Sequence, residues 1–133
     1  MRKKIFITHC SGKKKNTDRQ VTPDELYTGT KIQRFMNRCK QAGVSWAIFS
    51  DQYNIWFSHI RHGWYEKHPD QVTPLEFKKL VKNSAVKLKK YGAVYFYGNH
   101  RSHYFHPLYK EIINALKKRR IRIAKIHHLD EIT

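Results

Sequence analysis

Short β-rich runs alternate along this chain with longer stretches of helical spacing, and that alternation constrains the fold more than any single motif. The β-rich runs are Ile5 to His9, Val44 to Phe49, Ala93 to Tyr97 and Ile121 to Ile126. Each is short, apolar and bounded by polar residues or glycine, as strands are. Between them, Thr22-Pro23-Asp24-Glu25 reads as a capping box. Thr22 is its cap, Pro23 suits the first helical position, and Glu25 reaches back. A helical stretch from Thr30 to Gln41 stops at Gly43. Thr73-Pro74-Leu75-Glu76 repeats the box, and Phe77, Leu80, Val81, Ala85 and Leu88 follow at helical spacing before Gly92. Pro107 to Arg119 is the last helix, with Leu108, Ile112, Ile113 and Leu116 inward. Lys117, Lys118 and Arg119 suit the negative end of its dipole. Alternating charges place Ile121 to Ile126 at a sheet edge.

The order β-α-β-α-β-α-β predicts an α/β protein. With 133 residues it is a single-domain three-layer sandwich around a four-stranded, mostly parallel sheet. Ser50 to Val72 is the least regular segment. It holds Tyr53, Trp56, Trp64, Tyr65 and three histidines among polar residues, and reads as a long functional loop with some helix rather than core.

Right-handed crossovers put the C-terminal ends of parallel strands on one rim, where open α/β sheets bind ligands. Three polar segments mark the ends of the first three runs: Thr8-His9-Cys10-Ser11-Gly12-Lys13-Lys14-Lys15, Ser50-Asp51-Gln52-Tyr53 and Gly98-Asn99-His100-Arg101-Ser102-His103. Ser11 to Lys15 either cradles a phosphate or is a solvated basic loop; the Gly-x4-Gly-Lys spacing of a P-loop is absent. Gly98, Asn99, His100 and Arg101 lead into a helix that Ser102 can cap, a setting for an anion, and Arg101 can grip a phosphate with two bonds. Asp51 is a candidate general base, or a turn residue satisfying local amides. Cys10 is a candidate nucleophile, or simple packing. Tyr53, Trp56, Trp64, Tyr65, Tyr104 and Phe105 either stack on bases or fold onto the core. His100, His103 and His106 recur every third residue, as do His59 and His62, but no thiolate or carboxylate supports them, so neither metal nor cofactor is expected.

Lys and Arg number 27 against 10 Asp and Glu, a formal charge of +17. A domain of this size ordinarily carries a much smaller charge. The field attracts polyanions, and nucleic acid, DNA or RNA, is the expected partner; a proteome-wide bias or solubility is the bland alternative. The two cysteines form no Cys-x-x-Cys pair. No apolar run suits a signal peptide or a membrane span. The expected compartment is the cytoplasm, with both thiols reduced.

The motif Cys10-Ser11-Gly12-Lys13-Lys14, followed by Pro23-Asp24-Glu25-Leu26-Tyr27-Thr28-Gly29 before a helix, resembles that of a family of small YaaA-like bacterial and archaeal domains. Ser50-Asp51-Gln52-Tyr53-Asn54 is similar to a second family turn, with Asn54 where glycine is usual, and Tyr95-Phe96-Tyr97-Gly98 to a third. The resemblance implies a fold like that of uracil-DNA glycosylases and a nucleic-acid or nucleobase setting. Two functions stand as expectations. One is action on a nucleobase or nucleotide, by N-glycosidic cleavage or base modification, with Asp51 or Cys10 as the reacting group. The other is a non-catalytic basic module that binds DNA or RNA. A small-nucleotide binder ranks third.

Overall fold

The computed structural model describes residues 3–133, so the first two residues of the basic N-terminal segment lie outside it. In chain order the elements are β1 (Lys4–His9), α1 (Pro23–Leu26), α2 (Thr30–Ala42), β2 (Ser45–Ser50), β3 (Asn54–Phe57), α3 (Pro74–Leu88), β4 (Ala93–Tyr97), α4 (Pro107–Lys118) and β5 (Ile123–Ile126). Short 3-10 turns occupy Pro69–Gln71 and Leu129–Glu131.

The five strands form one mixed sheet in the order β3-β2-β1-β4-β5. β2, β1, β4 and β5 run parallel, while β3 returns antiparallel beside β2. Successive residues of a strand point to opposite faces. Ile5 and Ile7 meet Leu80, Leu88, Ile112 and Leu116 of α3 and α4. Phe6 meets Leu26, Phe35 and Met36 of α1 and α2, together with Ile132 near the C-terminus. Helices therefore cover both faces. Fully burying each of Ile112, Ile113 and Leu116 in the α4 stripe contributes roughly 1.5–3 kcal/mol.

β3 corrects the expectation of a loop after Ser50 and of only four strands. Ile55 and Trp56 are 1% and 0% exposed, one facing each layer. A four-residue strand buried on both sides shows no polar alternation. Trp56 also donates its indole N–H to the Ile60 carbonyl at 2.8 Å. Asn54 opens β3 at φ 55, in the left-handed region. Glycine is favoured there, and asparagine is among the few substitutes that tolerate it.

The two capping boxes part ways. At α3, Thr73 Oγ1 accepts the Glu76 amide at 3.2 Å, and Glu76 Oε1 accepts the Thr73 amide at 3.1 Å. At α1 no side chain caps the helix. The Thr22 hydroxyl instead donates to Asp24 Oδ1 at 2.6 Å. One turn of helix leaves little to cap, and the nearer carboxylate takes the hydroxyl.

Candidate functional site

The connections after β1 and β4 leave for opposite faces of the sheet. α2 packs in the layer with Phe6, and α4 in the layer with Ile5. Adjacent parallel strands whose connections diverge open a crevice at their carboxyl ends. A cleft of about 830 Å³ lies there. Thr8, His9, Ser11, Lys31, Tyr97, Gly98, Asn99, Arg101, Tyr104, His127 and His128 contribute to its walls.

One wall is the start of α2. Its N-cap is Gly29, and no side chain caps it, so its first amides lack an intrahelical partner. Ser11 Oγ is buried without any hydrogen-bond partner, and a Cβ on Gly29 would stand 3.5 Å from it. Free amides, an unpaired hydroxyl, the Lys31 ammonium and the Arg101 guanidinium together describe an anion seat. The floor depends on Gly98. A Cβ there would meet Phe105 at 2.9 Å, so only glycine lets the strand end pass under that ring.

The expected anion-binding helix start after Gly98 is therefore displaced. α4 begins only at Pro107, and His106 caps it, its Nδ1 accepting the Leu108 amide at 3.0 Å. Ser102 Oγ serves its own turn, accepting the Tyr104 amide. The helix N-terminus that faces the cleft belongs to α2.

Beside the cleft lies a buried polar cluster. Tyr109 donates its phenol to Asp51 Oδ1 at 3.3 Å, and its oxygen lies 3.6 Å from Cys10 Sγ. Tyr65 and Tyr27 place their phenol oxygens 2.5 Å apart, and Ser50 Oγ donates to Tyr65 at 3.2 Å. Asp51 is 3% exposed, and its Oδ2 has no partner. Burial raises its pKa above the ordinary value, although bonds from Cys10 and Tyr109 favour the carboxylate. Burial, then the nearby Asp51, pushes the Cys10 thiol up to about 11, so it stays protonated at neutral pH. His9 forms the partition between cluster and cleft. It stacks on Tyr109 with ring centroids 4.5 Å apart, and its Nδ1–H donates to the Cys10 carbonyl at 2.8 Å. That bond leaves Nε2 as its basic nitrogen, and burial lowers its pKa.

The rim thus gathers Cys10 and Asp51 into one cluster and Ser11, Gly98, Asn99 and Arg101 into the adjoining cleft. Lys14 sits between β1 and α1, its ammonium 4.5 Å above the Tyr65 ring. Lys13 and Lys15 are exposed nearby, held by backbone bonds to Thr28 and Leu26. Gly12 has open space where a Cβ would be. Two expected residues turn away. His100 is buried, its Nε2–H donating to the Phe96 carbonyl at 2.7 Å. Tyr53 stacks on His62 and donates to the Gly63 carbonyl at 2.9 Å. Of the aromatics, Trp56, Tyr65 and Phe105 are core, while Trp64 and Tyr104 are exposed.

Lys31, Tyr109, His127 and His128 are absent from the sequence expectation. His127 and His128 follow β5, so applying the rim rule to the last strand as well would have found them. Tyr109 is a phenol within the apolar stripe of α4, which is itself a signal.

No family model, no curated protein and no solved structure matches this chain. Among the described residues no helix is long and apolar enough to cross a membrane.

Proposed function

We propose that this protein binds nucleic acid in the cytoplasm and seats one nucleotide unit of the strand in the cleft between β1 and β4. The observation that carries this reading is the uncapped start of α2 beside the unpaired Ser11 hydroxyl. Its amides and Ser11 Oγ hold a phosphate, and Lys31 and Arg101 neutralise it. Tyr104, 86% exposed at the lip, offers a face on which a base stacks. A volume of about 830 Å³ accommodates a ligand of nucleotide size. The charge of +17 draws the rest of the strand to the surface.

Binding to single-stranded DNA, duplex DNA and transfer RNA at two salt concentrations tests this reading. Affinity falls steeply with salt, by about 0.7 in logarithmic slope for each single-strand phosphate neutralised, and Arg101→Ala weakens it. A salt-independent affinity, or an Arg101→Ala protein that binds as tightly as the original, refutes it.

A second reading adds chemistry, and the unpartnered Oδ2 of Asp51 favours it. Tyr109 donates to Asp51 and stacks on His9, so it links a buried carboxyl of raised pKa to a histidine of lowered pKa, the pattern of an acid–base pair. Asp51 and His9 then move a proton during cleavage or modification of the seated base. Mass spectrometry of the bound nucleic acid detects released or altered base. Asp51→Asn abolishes that product while nucleic-acid affinity stays within about twofold. Undiminished product in the variant excludes Asp51.

A further inference from the structure

A second cleft, of about 820 Å³, opens at the other end of the sheet. Its lining includes Ala85, Lys89, Tyr91, Arg119, Arg120 and Arg122. It lies before β4 and β5 and at the C-terminal ends of α3 and α4. The nucleotide cleft lies after β4 and β5. Both strands run parallel, so the two clefts sit at opposite ends of one strand pair, about 20 Å apart at roughly 3.3 Å per residue.

Nothing acidic answers these cations. Between Glu76 and Asp130 the chain carries fourteen Lys and Arg residues and one acid, Glu111. Among the described residues, no ion pair involves Lys89, Arg119, Arg120 or Arg122. The ends of α3 and α4 supply some negative potential, roughly half an elementary charge each. Four full charges outweigh it several-fold. Apolar Ala85 and Ile121 contribute to the walls, so the cations surround a concave surface rather than a flat solvated one.

The backbone adds an independent observation. α2 and α4 end in the same motif. At α2, the Gly43 amide donates to Lys40 and the Val44 amide to Cys39. At α4, the Arg120 amide donates to Lys117 and the Ile121 amide to Leu116. The turning residue is left-handed in both, with φ 66 at Gly43 and φ 67 at Arg120. Glycine is the residue for that position, and a long side chain there is strained. The chain nevertheless holds an arginine there, at the wall of the cleft.

We infer that this second cleft binds the phosphodiester backbone of the same nucleic-acid strand. The strand occupies both ends of the β4–β5 pair and passes Lys125, which is exposed on β5 between them. This rests on the nucleotide cleft being a nucleic-acid site.

The test compares a 6-nucleotide with a 30-nucleotide single strand across a salt series. It uses the unaltered protein, the triple variant Lys89→Glu, Arg119→Glu, Arg122→Glu, and Arg120→Gly. The triple variant loses at least tenfold affinity for the long strand, and its logarithmic salt slope falls by about 2, for three phosphate contacts. Its affinity for the short strand stays within twofold. Arg120→Gly also weakens the long strand, while its melting temperature does not fall. That outcome separates lost charge from lost folding. If the unaltered protein binds both strands and the triple variant binds the long one equally well, the second cleft is refuted and the first stands. Equal losses for both strands refute it too. If the unaltered protein binds neither strand, both readings fall. If poly-aspartate at matched charge loses tenfold affinity on the triple variant while the long strand loses none, the cleft belongs to an acidic protein and the inference is overturned.

Discussion

Tyr109 reaches from α4 to donate its phenol to Asp51 Oδ1 across 3.3 Å, tying the helix on one layer to the turn that ends β2. Among the described residues it is the one side-chain oxygen within hydrogen-bonding distance of Asp51 Oδ1, and Oδ2 is buried without a partner. Removing the phenol would leave a buried carboxyl with only the weak Cys10 thiol to answer it. Tyr109→Phe therefore destabilises the fold by roughly 1–3 kcal/mol in urea titration. It also raises the Asp51 pKa further, because the bond favours the charged form.

The same carboxyl sets a direction for stability against pH. Its folded pKa lies above the ordinary carboxyl value of 3.8, mainly through burial. Between the two values the folded state holds more protons than the unfolded chain. The stability it contributes is thus fully present below the unfolded value and is lost as pH rises through the folded one. Asp51→Asn removes that dependence. Across about pH 3 to 7, the melting temperature of the variant gains on that of the unaltered protein as pH rises. A constant difference would show that the carboxyl does not titrate abnormally.

Both thiols are shut away. Cys10 is 7% exposed and Cys39 0%, and burial pushes them up to about 11 and about 12. Because the thiolate is the reactive form, neither cysteine reacts with iodoacetamide at neutral pH while the protein is folded, and both react in denaturant. Rapid labelling of Cys10 in the native protein would mean that the cluster around Asp51 opens to solvent.

The two Thr-Pro helix starts give a paired comparison. Thr73→Ala removes a cap that accepts the Glu76 amide and costs about 1 kcal/mol. Thr22→Ala removes a hydroxyl bonded only to Asp24 Oδ1 and stays within about 0.5 kcal/mol. Equal costs in chemical denaturation would contradict the different roles assigned to them.

That pair also shows what the sequence can carry. Both read Thr-Pro-x-Glu, and local spacing cannot tell a fifteen-residue helix from a four-residue one. Length is decided by what lies beneath. Leu80, Val81, Ala85 and Leu88 give α3 a buried stripe, whereas only Pro23 and Leu26 are buried in α1. The parallel strands were legible because β1, β2 and β4 are mainly apolar runs between polar turns and β5 is a short run of alternating charge. β3 was not, because its two central residues, Ile55 and Trp56, are buried on opposite faces and sit amid a polar segment. The rim was legible as a place, from strand direction alone. Its division into an open cleft and a closed cluster was not, since that depends on the Tyr109 ring lying against His9. The uncapped start of α2 at the cleft was missed because Gly29 marks a helix start by lacking a side chain, leaving no residue to notice.

The sheet ends on both sides in strands of only four residues, β3 and β5. Ala124 and Lys125, in the middle of β5, are both exposed. A neighbouring molecule that tried to extend the ladder there would find few backbone partners and would bring one ammonium against another. Concentrated solutions of this protein should therefore resist strand-mediated fibre growth, and Lys125→Val should lower the threshold at which thioflavin-positive material forms.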